Sequence, residues 1–96
     1  MVQSWLYSQG CRVPTPNRTA RQAILELAVR VRERRTALDL TQQDVAYSAG
    51  VTESYLSGLE RAKPKRLELA GILAVAEALD MEGADLIRGL KADPLP

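Results

Sequence analysis

Histidine and phenylalanine are absent from this chain, and cysteine occurs once. Without histidine the commonest general base and the commonest metal ligand are gone. The lone Cys11 cannot close an internal disulfide, and a reducing cytoplasm is the expected setting. Aromatics make up 4% of the residues. A core must therefore be built from Leu, Val, Ile and Ala, which suits packed helices. No apolar run reaches the roughly 18 residues of a membrane-spanning helix, so no span is expected. The opening Met1 to Gly10 lacks a basic segment followed by an apolar run, and no secretory signal is expected. Paired cysteines, a glycine-rich phosphate loop and a nucleophile elbow are missing as well. No catalytic residue, metal or cofactor is expected, and no enzyme.

What is present fits one small domain. The chain has 96 residues, of which 46% are apolar. The net charge is +1, but its distribution is uneven. Residues 1–40 carry seven Arg against three acids, and residues 41–60 carry three acids and no base. Arg61, Lys63, Lys65 and Arg66 then cluster within six residues, and residues 67–96 hold six acids against two bases. Positive charge thus brackets the middle of the chain, the footprint expected beside a phosphate-contacting element.

That middle stretch, Thr41 to Arg61, organises the rest. Thr41 and Asp44 have the spacing of a helix start, where their side chains satisfy free N–H groups. Gly50 follows where an abrupt helix end favours a residue tolerant of positive φ. Thr52 opens the next helix, which turns Leu56 and Leu59 inward and Glu53, Ser54 and Ser57 outward. Two short helices joined by a tight glycine turn form a helix-turn-helix, whose second helix enters the DNA major groove.

Around it, residues 1–18 show no periodicity and read as an arm carrying the apolar cluster Trp5, Leu6, Tyr7. Thr19 and Gln22 fit the cap of a first helix, Ala20 to about Ala37. Its apolar face is Ile24, Leu27, Ala28, Val31 and Leu38. Helix two spans Gln42 to Ser48, with Val45 and Ala46 inward, and helix three spans Glu53 to Leu59 or Arg61. Helix four is expected from Leu67 to Leu79, with Leu69, Ile72, Leu73 and Ala76 inward. Helix five runs from Gly83 to about Leu90. The folded domain occupies residues 19–91, and residues 92–96 form a polar tail.

The segments VRVRERRTALDLTQQDVAYSAGV, TESYLSGLERAK and AVAEALDM, taken together, resemble the phage-repressor and Cro-like (Xre-type) helix-turn-helix family. The resemblance covers roughly two-thirds of the chain, from about Leu27 to Leu90. It implies an all-α, five-helix domain that binds double-stranded DNA as a homodimer on a palindromic operator, or as two dimers on adjacent sites. It also implies base contacts from Thr52, Glu53, Ser54, Ser57 and Gly58. Gln42 matches a phosphate contact that supports the reading helix. Lys63, Lys65 and Arg66 match a backbone-gripping loop, and Arg35 and Glu60 match a buried ion pair. The family often has Gly or Asn where Ala62 stands.

The chemistry of the residues runs alongside. Ser and Thr hydroxyls suit base edges, and Glu53 suits a cytosine amino group or the positive start of a helix. Tyr55 is expected half-buried with its hydroxyl near a phosphate, and Arg61 joins the phosphate contacts. The N-terminal arginines Arg12, Arg18 and Arg21 offer a basic arm for the minor groove. Leu86, Ile87 and Leu90 are the expected dimer surface. SYLSGLER, the small size and the lack of an effector domain resemble controller proteins of restriction–modification systems. Phage repressors, antitoxin-type regulators and a module binding a protein partner remain the alternatives.

Overall fold

Helices begin and end where their free backbone groups find partners. The computed structural model describes residues 20–92, and among these are five helices and no strand. They are α1 (Ala20–Ala37), α2 (Gln42–Ala49), α3 (Glu53–Glu60), α4 (Leu69–Ala78) and α5 (Gly83–Ile87). The all-α, five-helix fold is as expected. The arm at 1–18, the Thr19 cap, Arg12, Arg18 and the end of the tail lie outside the described residues.

The centre forms as its sequence dictates. Thr41 Oγ1 accepts from the Asp44 N–H, and the Thr41 N–H donates to Asp44 Oδ2, both at 3.0 Å. This reciprocal box starts α2. Gly50 ends it in the left-handed region, φ 73°, and the Val51 N–H returns to the Ala46 carbonyl at 3.0 Å. Thr52 Oγ1 then accepts from the Tyr55 N–H at 2.9 Å and starts α3.

The core lies between these two helices and the other three. Leu27 and Val31 of α1, Val45 and Ala46 of α2, and Leu56 and Leu59 of α3 meet Ile72, Val75, Ala76, Leu79 and Leu86. Burying a side chain such as Leu56 or Leu79 completely is worth about 1.5–3 kcal/mol. Small Ala46 and Ala76 keep this Phe-free core closely packed.

Two expectations are corrected. α4 starts at Leu69, not Leu67, and presents Ile72, Val75, Ala76 and Leu79 to the core. Leu69 and Leu73, expected inward, are 67% and 47% exposed. This helix is apolar almost all round, so its periodicity does not fix which face turns inward. Packing against α2 decides it. α5 stops at Ile87, and Leu86, expected on a dimer surface, is fully buried in its own protomer's core. Leu90 is partly buried against that core, which leaves Ile87 outside at 41% exposure.

The arginines of α1 have a structural use that charge counting does not reveal. Arg34 Nε donates to the Leu79 carbonyl at 2.9 Å, and its Nη2 donates to the Asp80 carbonyl at 3.1 Å. Arg30 donates to the Leu86 carbonyl at 3.0 Å, and Arg32 to the Glu60 carbonyl at 3.4 Å. Arg21 donates to the Ala62 carbonyl. These acceptors lie at or just beyond the C-terminal ends of α3, α4 and α5, where the helix dipole is negative. α1 therefore gathers three helix ends with its cations.

Candidate nucleic-acid interface

One face of α3 is free of the core. Thr52, Glu53 and Ser54 are exposed, and Ser57 is half-buried at the edge of this face. Leu56 and Leu59, on the opposite side, are fully buried and hold the helix down. The outward face therefore offers three short hydroxyls and one carboxylate. Thr52 Oγ1 is already accepting from the Tyr55 N–H, so its hydroxyl hydrogen and its methyl remain for a partner.

Gly58 departs from its expected place. It is buried, and a Cβ there would meet the Lys63 carbonyl oxygen at 3.2 Å. Its own carbonyl accepts from the Lys63 N–H at 2.8 Å. Gly58 lets the following turn close on α3; it does not belong to the outward face.

That turn brings the second group of residues into place. Ala62 adopts φ 61° and is 2% exposed, so the turn takes the left-handed geometry that Gly or Asn supplies more cheaply. Arg61, Lys63, Lys65 and Arg66 are all exposed beside α3. Arg61 Nε folds back to the Ser57 carbonyl at 3.3 Å. These side chains, with Thr52, Ser54, Tyr55 and Gly71, line a cavity of about 470 Å³.

Tyr55 is half-buried as expected, but its hydroxyl is not turned toward solvent. The oxygen is buried without a hydrogen-bond partner and packs on Gly71, where a Cβ would meet it at 2.6 Å. Desolvation, and secondarily the charge of Glu68, hold the phenol above the usual tyrosine range. The tyrosine braces α3 on α4, which corrects the expectation of a hydroxyl presented to a phosphate.

Behind α3 the expected ion pair is present. Arg35 Nε donates to Glu60 Oε2 at 2.7 Å, and Nη2 donates to Oε1 at 3.1 Å. Glu60 is 3% exposed. Gln42 Nε2 adds a third donor to Oε1 at 3.0 Å, and Arg35 Nη1 donates to the Leu40 carbonyl at 2.8 Å. The Glu60 hydrogen bond is the chief reason the guanidinium sits above its ordinary pKa. Gln42 thus supports α3 from the first turn of α2.

Several contributors are illegible in composition or periodicity. Arg21, Arg32 and Arg34 look like surface cations in the sequence, and no local pattern marks a carbonyl dozens of residues away. Tyr47 on α2 is 89% exposed and has no apolar partner pattern to place it. Glu68 does carry a signal, a lone acid two residues after a run of four bases in six residues.

Two short capped helices, a left-handed glycine turn between them, and a basic turn behind an exposed second helix define a helix-turn-helix protein of the DNA-binding regulator type. The chain belongs to the helix-turn-helix domain family, whose model matches residues 26–88. No curated protein sequence matches it. Among solved structures it is similar to the restriction–modification controller protein C.AhdI from Aeromonas hydrophila. The identity there is 38%, with 66% of this chain and 94% of that chain covered and a TM-score of 0.62. The wild-type restriction–modification controller protein C.Esp1396I shares the fold at 20% identity and TM-score 0.63, over 71% of this chain and 87% of its own. The clp gene regulator ClgR from C. glutamicum is 28% identical, with TM-score 0.60, over 67% and 82% of the two chains.

Proposed function

We propose that the protein is an operator-binding transcriptional regulator of the restriction–modification controller type, acting as a homodimer on a palindromic DNA site. The observation that carries this reading is the exposed face of α3 standing beside four exposed cations, Arg61, Lys63, Lys65 and Arg66. Base readout falls to Thr52, Glu53, Ser54 and Ser57. A thymine methyl can meet the Thr52 methyl, and a cytosine amino group can donate to Glu53. Lys63, Lys65, Arg66 and Arg61 supply the phosphate attraction, which carries no sequence information. With no Arg or Gln on the reading face, two half-sites and DNA shape share the discrimination.

The controller reading is supported by the 38% identity to C.AhdI over nearly that protein's whole length. The homodimer reading is supported by an apolar strip on α4 and α5. Leu69 and Leu73 lie one turn apart on α4, Leu73 lies over Gly83, and Ile87 follows one turn along α5. A second copy of the chain covers this strip most simply. Two-fold pairing then spaces the reading helices about 34 Å apart, one turn of DNA.

Selection from a random duplex library tests the reading. The expected product is an inverted repeat with half-sites about one helical turn apart. Recovery of an asymmetric site, or of no enriched sequence, contradicts it.

A further inference from the structure

Glu68 stands at the N-cap of α4, near the positive end of the helix dipole, and its side chain makes no cap hydrogen bond. Glu68 Oε2 instead accepts from Nη2 of Arg66 at 2.5 Å. Burial does not force this pairing, because the two side chains are 76% and 58% exposed. Glu68 is also the single acid lining the cavity, among Arg61, Lys63, Lys65 and Arg66. A carboxylate therefore sits among the cations of the surface proposed to meet phosphate, at the start of a helix whose first-turn N–H groups are free to donate.

We propose that Glu68 is a specificity-determining residue, an internal stand-in for a DNA phosphate that holds Arg66 until the operator backbone displaces it. This rests on the DNA-binding reading above. Carboxylate and phosphate compete for the same guanidinium fork, and both make charge-assisted hydrogen bonds to it. An exposed pair is weak enough to open when a phosphate is pressed against Arg66. The released carboxylate then has the free N–H groups at the start of α4 to accept from. A loosely bound, non-operator duplex leaves its phosphates within reach of a free Arg66 but does not press one against it closely enough to break the pair, so Arg66 stays with Glu68. The acid weakens loose complexes more than seated ones.

Fluorescence anisotropy with the full chain tests this, using a selected operator duplex and a shuffled duplex of the same length. The variants are E68Q, R66Q, the double variant R66Q/E68Q, and E77Q as an exposed acid on α4 that does not line the cavity. E68Q is expected to tighten binding to the shuffled duplex about threefold to fivefold, the scale of one exposed ion pair. Its salt dependence on that duplex steepens by about one, since one more cation reaches phosphate. Operator affinity changes less than twofold, so the preference for the operator falls. In the R66Q background the change at Glu68 has no effect, and E77Q behaves as the wild type. An unchanged E68Q, an equal gain in the R66Q background, or an equal gain from E77Q overturns the proposal. A wild-type protein with no salt-dependent DNA binding overturns the DNA-binding reading itself, a result distinct from normal wild-type binding with an inert E68Q.

Discussion

Glu60 is the residue on which α3 is anchored. It is 3% exposed, and its carboxylate takes three hydrogen bonds, two from Arg35 and one from Gln42. Removing Arg35 leaves a buried charge with one neutral donor. Arg35→Ala is expected to destabilise the fold by about 3–5 kcal/mol in urea denaturation. A loss below about 1 kcal/mol would mean that the pair behaves as a surface contact. A second residue-scale prediction concerns Ala62, held at φ 61° with its methyl buried. The left-handed region costs a Cβ about 1–2 kcal/mol, and glycine gives back about half of that relief in unfolded-chain entropy. Ala62→Gly should raise stability by up to about 1 kcal/mol, visible as a higher thermal midpoint. A drop would mean that packing of the buried methyl outweighs the backbone strain.

At the scale of elements, α2 depends on its first turn. The Thr41 hydrogen bonds hold the Asp44 carboxyl below the usual aspartate range, backbone donation being the larger cause. A folded pKa below the unfolded one contributes stability that is fully present above the unfolded value, about 4, and is lost as pH falls through the folded one. Thermal midpoints should therefore decline on acidification below about pH 4, and Asp44→Asn should decline less steeply. Equal slopes would remove Asp44 from the account. This box, the Gly50 turn and the Thr52 cap were legible in sequence because each acts through neighbours three or four residues away. The direction of α4 was not. A helix apolar on nearly every side leaves its own periodicity silent, so Leu69 and Leu73 looked like core and are exposed. Leu86 failed in the opposite sense, because α5 is short and its place in the core depends on α1 and α4. At the candidate site, Glu53 and Ser54 faced outward as their spacing implied, while Ser57 is half-buried. Gly58 and the Tyr55 hydroxyl turned inward for reasons set by Lys63 and Gly71.

For the whole molecule, the polar and apolar surfaces divide the work. Residues of the exposed face of α3 and of the basic turn line one cavity, and the exposed strip Leu69, Leu73 and Ile87 offers a surface for a second copy. Leu73 is 47% exposed in the protomer, so a charge there disturbs the protomer's own core little. Leu73→Glu is expected to convert a dimer to a monomer in sedimentation equilibrium, with helical content retained. An unchanged dimer would place the interface elsewhere.

In the proposed division of roles α3 reads sequence while the following turn supplies charge. The affinities of wild type, Ser54→Ala and Lys65→Ala for a selected operator and for a shuffled duplex across a salt series separate the two roles. The wild type is expected to prefer the operator, and Ser54→Ala to reduce that preference. Lys65→Ala is expected to weaken both duplexes alike and to lower the salt slope by about one. Equal binding of both duplexes by the wild type, or a Ser54→Ala variant with unaltered preference, would contradict that division of roles.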